Sequence, residues 1–120
     1  MYAIFFKSLS SKSSETSFLT DELLEHEQGH FDIDEWYARI FRKELQDTSF
    51  ASINQFYSVF LKRSRNNLNA ANAEEKKYDN ETNHSIDTVA QNRWNKYIAE
   101  QLNTYAAYSQ SEFIITCGKK

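Results

Sequence analysis

The sequence contains no proline and only two glycines, Gly29 and Gly118, among 120 residues. Because these two residue types end most helices and form most tight turns, their scarcity favours long uninterrupted helices over many short strands. Cys117 is the only cysteine. A single cysteine excludes an intramolecular disulfide and a zinc site built on cysteines. The sequence therefore predicts a helical domain without covalent cross-links.

Charge and hydropathy exclude two further classes of protein. The chain has 14 Lys+Arg against 17 Asp+Glu, a net charge of -3, and lacks the clustered basic excess of nucleic-acid-binding proteins. No apolar run approaches the roughly 20 residues of a membrane-spanning helix. The composition, 40% hydrophobic and 15% aromatic, is that of a globular domain. We therefore expect one domain over residues 1–120, with no nucleic-acid partner and no membrane span.

Two segments near the ends of the chain have the composition of β-strands. Residues 2–7 and 112–117 are rich in aromatic and β-branched side chains. Because a lone strand has no partner for its backbone hydrogen bonds, we expect these segments to pair. Residues 8–17 contain six serines and predict a loop. The apolar stretch in residues 1–7 is too short for a signal peptide. Either the protein is cytoplasmic or its real N-terminus has been removed, and the sequence leaves both open.

Hydrophobic residues recur at helical spacings over most of the remaining chain. The first helix is predicted from Thr20, which can cap it, to about residue 46. Residues 47–49 are expected to cap a second helix. This second helix is expected to fade over 66–77. A loop over 78–85 and a third helix over 86–107 are expected to follow. The predicted fold class is mainly α, with three long helices and a minor β element.

The first predicted helix contains His26-Glu27-Gln28-Gly29-His30, which has the pattern His-Glu-x-x-His. Side chains at positions i and i+4 leave one helix face a turn apart, so His26 and His30 can bind one zinc ion. Glu27 is placed to accept a proton from water activated by the metal, as a general base. Glycine within a helix costs about 1 kcal/mol relative to alanine, and close approach of another backbone or of a substrate at Gly29 would explain it.

A catalytic zinc ion needs a third protein ligand and leaves a further position to water. His84 is the one histidine outside the motif and is therefore the first candidate. Asp79 and Glu81, in the same predicted loop, and Asp34, on the face of the motif, are competing oxygen ligands. A carboxylate that does not bind the metal can instead orient a histidine ligand. The third ligand stays open between these four residues.

Two interpretations without catalysis also stay open. In one, the motif binds a metal ion that serves stability or partner binding. In the other, the chain is a helical interaction module in which the histidines bind nothing. Tyr78 is a candidate hydrogen-bond donor to a developing oxyanion in the catalytic interpretation, and a half-buried aromatic residue in the other two.

Two blocks of the sequence resemble a bacterial family catalogued as domain of unknown function 922. The first block is the run Leu23–Ile33, followed by Tyr37-Ala38-Arg39. In the second, Tyr78-Asp79, Thr82 and His84 are similar to the family pattern Tyr-Asp-x-x-Thr-x-His-Gly, and Gln91 and Trp94-Asn95 follow. Ser85 stands where that pattern has glycine. The resemblance covers roughly residues 20–102.

The resemblance implies a zincin-like metallopeptidase core, because the family is expected from its motif to contain zinc-dependent proteases. It implies His26, His30 and His84 as zinc ligands and Glu27 as catalytic base, with a peptide or protein as substrate. Family members often carry an export signal, which implies a periplasmic or secreted location.

Other residues of the resemblance are expected to be structural. Asp32 lies about 200° around the helix from His30 and cannot share the metal face. We expect Asp32, Arg39 and Arg42 to make ion pairs or hydrogen bonds that hold the helix to its neighbours. Trp36 and Trp94 are expected to lie in the core.

Overall fold

A computed structural model describes residues 2–5 and 20–118. The predicted loop over 8–17 lies outside the described residues. The helices are α1 (Asp21–Asp47), α2 (Ile53–Thr82), α3 (Thr88–Thr104) and a short 3-10 helix (Ala106–Tyr108). The strands are β1 (Tyr2–Phe5), β2 (Ser49–Phe50) and β3 (Glu112–Cys117). The predicted mainly helical fold with three long helices and a small sheet is confirmed.

Helix α1 begins where the sequence predicts. The Thr20 side chain accepts a hydrogen bond from the backbone N–H of Leu23 at 3.1 Å, and Asp21 and Glu22 lie in the first turn. Acidic side chains at this end interact favourably with the helix dipole. The helix continues for 27 residues to Asp47 and carries the whole His-Glu-x-x-His motif.

Helix α2 differs from the prediction at both ends. Ser52, and not the segment 47–49, caps its start, through a 3.1 Å hydrogen bond from the backbone N–H of Gln55. The helix does not fade over 66–77 but runs for 30 residues to Thr82. The predicted loop over 78–85 was therefore wrong for its first five residues. No glycine or proline interrupts this stretch, and packing against α1 and α3 compensates for its weak hydrophobic pattern.

Strand β3 is the centre of a three-stranded sheet. It pairs antiparallel with β1, in a register from Tyr2 opposite Ile115 to Phe5 opposite Glu112. The predicted pairing of the two end segments is confirmed. The two-residue strand β2 adds to the other side of β3 in parallel orientation. Strand β2 lies in the connection between α1 and α2, where the sequence predicted a helix cap.

The buried residues that the structure describes form two hydrophobic clusters. One packs the ends of α1 and α2 against the inner face of β3 and contains Phe41, Leu45, Phe50, Phe56, Phe113 and Ile115. The other joins the three long helices and contains Ile33, Trp36, Tyr78, Trp94 and Ile98. Both tryptophans are therefore core residues, as predicted. The second cluster lies directly against the motif, because Tyr78 also contacts both motif histidines.

Arginines of α1 hold the C-terminal part of the chain. Arg42 bonds the carboxylate of Glu35 and the backbone carbonyl of Tyr108, at 3.0 and 2.9 Å. Arg39 bonds the same carboxylate and the carbonyl of Leu102. The structural role predicted for these arginines is confirmed. Asp32 instead accepts a hydrogen bond from Gln28 within α1, and among the described residues it bonds no neighbouring helix.

Among the residues described, none of the helices has both the length and the apolar character needed to cross a bilayer.

Candidate metal centre

The two motif histidines leave α1 on its inward face. His26 is buried, with 2% of its surface exposed, and His30 is half-buried. Their ring centroids are 5.1 Å apart. Ligand atoms of His26, Glu27 and His30 all lie within 4.8 Å of one another, a spacing that allows them to surround one metal ion. The exposed side chain of Glu27 lies on the solvent side of this group.

Asp79, in the last turn of α2, brings a carboxylate to both histidines. Its Oδ1 atom lies 2.7 Å from Nε2 of His26 and 2.8 Å from Nε2 of His30. Burial opposes ionisation of this carboxyl, but its hydrogen bonds with His26 and His30 outweigh burial and hold the pKa of Asp79 below 3.8. An ionised carboxylate therefore lies between the two imidazoles at neutral pH.

The Nδ1 atom of His26 has its own partner on α3. The side-chain oxygen of Gln91 lies 2.8 Å from it. The amide nitrogen of Gln91 donates to the hydroxyl of Tyr78 at 2.7 Å and to Oδ1 of Asn95 at 2.9 Å. These two bonds orient the amide so that its oxygen faces the imidazole.

The Nδ1 atom of His30 is bonded to a second carboxylate of α2. Oε1 of Glu75 lies 2.9 Å away. This hydrogen bond outweighs burial and, with Asp79, raises the pKa of His30 to about 9. Burial would raise the pKa of Glu75, but hydrogen bonds with His30 and Asp34 lower it. Desolvation and the hydrogen bond with Glu75 raise the pKa of Asp34 to about 7.

Tyr78 forms the floor of the centre. Its ring stacks on His26, with centroids 4.5 Å apart and planes 8° from parallel. Its hydroxyl donates to the backbone carbonyl of His26 at 2.8 Å, and the residue is fully buried. Burial raises the pKa of this phenol to about 12. Tyr78 therefore supports His26 in this structure, and its role as an oxyanion donor stays a prediction.

His84 lies in the turn between α2 and α3, at the edge of the centre. Its side chain is 71% exposed, and its Nδ1 is 3.9 Å from Oδ1 of Asp79. The turn has an unusual backbone, because Asn83, His84 and Ser85 have φ of 49°, 53° and 83°. Such values favour glycine. The glycine that the family pattern has at position 85 fits this geometry.

The structure distinguishes the four candidates for the third ligand by what each side chain contacts. Asp79 contacts both motif histidines, and His84 lies beside Asp79. Glu81 accepts a hydrogen bond from the indole N–H of Trp94 at 2.9 Å, and Asp34 is bonded to Glu75. Asp79 is therefore the candidate that contacts both motif nitrogens, and His84 lies next to it.

Sequence reasoning missed Glu75 as a site residue and knew Gln91 only through the family resemblance. A signal was present, because Glu75, Tyr78, Asp79 and Thr82 follow the helical spacing i, i+3, i+4, i+7. The polar composition around residue 75 concealed it, since the helix was predicted to fade there. The continuation of α2 to Thr82 places all four side chains on the face that meets α1.

One family model matches the chain. It is described as "Bacterial protein of unknown function (DUF922)" and matches residues 10–85, which include the motif, Glu75 and the His84 turn. The chain belongs to this family. No curated protein and no solved structure matches the chain at a significant level. This DUF922 member has its His-Glu-x-x-His motif on α1, with His26 buried, His30 half-buried and Glu27 exposed.

Proposed function

We propose that this DUF922 protein is a zinc-dependent peptidase, in which His26 and His30 bind the metal ion and Glu27 acts as the general base. The observation that carries the proposal is the meeting of Asp79 Oδ1 with both Nε2 atoms at 2.7 and 2.8 Å. With Nδ1–H of each ring directed to Gln91 or Glu75, a neutral imidazole presents a lone pair at Nε2. Two lone pairs and a carboxylate oxygen repel one another unless protons or a metal cation neutralise them.

The donor set suits zinc. Two neutral imidazole nitrogens and one carboxylate oxygen form a ligand set found in catalytic zinc sites, which leaves a position open for water. The third ligand in this proposal is Asp79 or the predicted His84, and both approach the motif from the end of α2. Other first-row metals also bind imidazole, and ligand type alone favours zinc.

A bound zinc ion supplies Lewis acidity, which lowers the pKa of a water molecule and polarises a carbonyl group. Glu27 accepts the proton of the attacking water, because its carboxylate lies next to His26 and is open to solvent. The same carboxyl then donates this proton to the leaving amine of the peptide. Tyr78 and Gln91 hold His26 in place during these steps. A motif helix backed by two helices and a small sheet supports the zincin-like core that the resemblance implies.

Metal content tests the first half of this proposal. Untagged wild-type protein purified without added metal should contain about one zinc per chain, and His26→Ala and His30→Ala should lose it. Asp79→Ala and His84→Ala, measured in parallel, identify the third ligand by which of them loses zinc. Asp32→Ala is the matched control, since Asp32 is an acidic residue of α1 that bonds only Gln28 among the hydrogen bonds described. A wild-type protein that takes up no zinc at micromolar concentration would refute the proposal.

Peptide cleavage tests the second half. The zinc-loaded protein should hydrolyse members of a peptide library, and Glu27→Gln should abolish cleavage while retaining the metal. Exposed Glu25, on the same helix, provides the control as Glu25→Gln. If zinc binds but no peptide is cleaved in the presence of Glu27, the protein is the non-catalytic metal-binding domain that the sequence also allows.

A further inference from the structure

Each imidazole of the proposed zinc site is bonded on its far side by a different helix. Gln91 of α3 bonds Nδ1 of His26 at 2.8 Å, and Glu75 of α2 bonds Nδ1 of His30 at 2.9 Å. The two histidines are thus held in the same way by acceptors that are 16 positions apart in the sequence. A neutral imidazole has a proton on one ring nitrogen and a lone pair for a metal on the other. The hydrogen-bond partner of the ring decides which nitrogen carries the proton.

The orientation of Gln91 determines the tautomer of His26. Gln91 is buried, with 3% of its surface exposed, and its amide nitrogen already donates to Tyr78 and Asn95. Its oxygen must therefore face His26, and an oxygen can only accept. The proton of neutral His26 is accordingly on Nδ1, and the Nε2 lone pair of the neutral ring then lies on the side of Asp79.

Glu75 determines which nitrogen of His30 carries the proton, because its carboxylate is charged. An ionised carboxylate only accepts, so His30 donates from Nδ1. Glu75 also lies one helical turn before Asp79 on α2, so one rigid helix face presents an acceptor to Nδ1 and an oxygen to Nε2 of the same ring.

We propose that Glu75 and Gln91 are positioning residues, which hold the Nδ1 protons of His30 and His26 so that both Nε2 lone pairs point to one metal ion. This inference rests on the proposed function, because it assumes that the two histidines bind the metal. Acceptors of this kind commonly change metal affinity by roughly 10- to 100-fold. Both side chains bond Nδ1 atoms, and neither is a metal ligand in this proposal.

The test measures zinc affinity by competition with a chromophoric chelator and the tautomer of each histidine by ¹⁵N NMR. Glu75→Ala should weaken zinc binding by roughly 10- to 100-fold. In the metal-free protein above the His30 pKa of about 9, where the ring is neutral, the same substitution should move the His30 proton from Nδ1 towards Nε2. Glu75→Gln should recover part of the affinity, because its amide oxygen can still accept. Glu74→Ala is the matched control, since Glu74 bonds Tyr37 and not a histidine. Gln91→Ala is measured alongside and should change the His26 signals in the same way.

The outcomes separate this inference from the proposed function. If wild-type protein binds no zinc, the proposed function is wrong, and the variants cannot show a loss of zinc affinity. If wild type binds zinc but folded Glu75→Ala and Gln91→Ala retain its affinity and tautomers, the positioning role is wrong and the metal site stands. Circular dichroism establishes that each variant is folded. An equal loss of affinity in Glu74→Ala would also overturn the inference, because the effect would then be one of charge on α2.

Discussion

A side chain on Gly29 would occupy the space that the Tyr78 phenol fills. A Cβ atom built on Gly29 meets the Tyr78 hydroxyl and lies 2.6 Å from its Cζ atom, much closer than van der Waals contact. The missing side chain lets the ring of Tyr78 stack on His26 and bond its backbone carbonyl. Packing against Tyr78 therefore explains the glycine within the motif. The group that approaches Gly29 is a side chain of α2, and not the backbone or substrate expected from the sequence.

Gly29→Ala should destabilise the protein although alanine is the better helix former. The gain in helix propensity is about 1 kcal/mol, while overpacking costs roughly 1–3 kcal/mol and here displaces Tyr78 from His26. Thermal unfolding in the presence of chelator measures the net change as a lower melting temperature. Gln28→Ala, at an exposed position of the same turn, should change it little. A higher melting temperature for Gly29→Ala would contradict the close packing.

Ser85→Gly should stabilise the protein. The φ of 83° at Ser85 strains a residue with a Cβ, at a cost of about 1–2 kcal/mol that glycine avoids in part. Asn83→Gly is the matched control, because asparagine tolerates the left-handed φ of 49° and should gain less. Chemical denaturation measures both free energies of unfolding. If the two substitutions have equal effects, the strain is not concentrated at Ser85.

Acid should remove a contribution to stability that comes from Glu35. Burial opposes ionisation of this carboxyl, but hydrogen bonds from Arg42 and Arg39 outweigh it and hold the pKa of Glu35 below 4.5. A lowered pKa in the folded state stabilises the protein above pH 4.5, and this contribution is lost as the pH falls through the lowered value. Glu35→Gln should therefore melt at a lower temperature than wild type at pH 7, with the difference shrinking below pH 4.5. Glu44→Gln, exposed on the same helix, should show no such convergence.

Zinc should raise the stability of the folded protein. A ligand that binds only the folded state at 100 times its Kd adds about 2.7 kcal/mol to the free energy of unfolding. Titration of zinc into chelator-treated protein should thus raise the melting temperature of wild type but not that of His30→Ala. The same titration of Asp32→Asn should follow wild type. An equal rise in all three would mean that zinc binds elsewhere on the chain.

Much of the helical fold follows from local properties of the chain. The start of α1 at Thr20 needs only a capping side chain and acidic residues behind it, and both are visible in the sequence. The spacing of His26 and His30 likewise places two imidazoles on one face of any helix that contains them. The absence of glycine and proline between Gly29 and Gly118 permits long helices. These features depend on residues within a few positions of one another.

The partners of the two imidazoles depended on tertiary structure. Helix α2 continues through the polar residues before Tyr78 because its inner face packs against α1 and α3, a contribution that local composition does not show. That continuation brings Glu75 and Asp79 to His30, 45 and 49 positions away along the chain. Contacts at such separations are determined by how the helices pack. The sequence by itself therefore determined the motif and its helix, whereas the packing of three helices decided which side chains surround it.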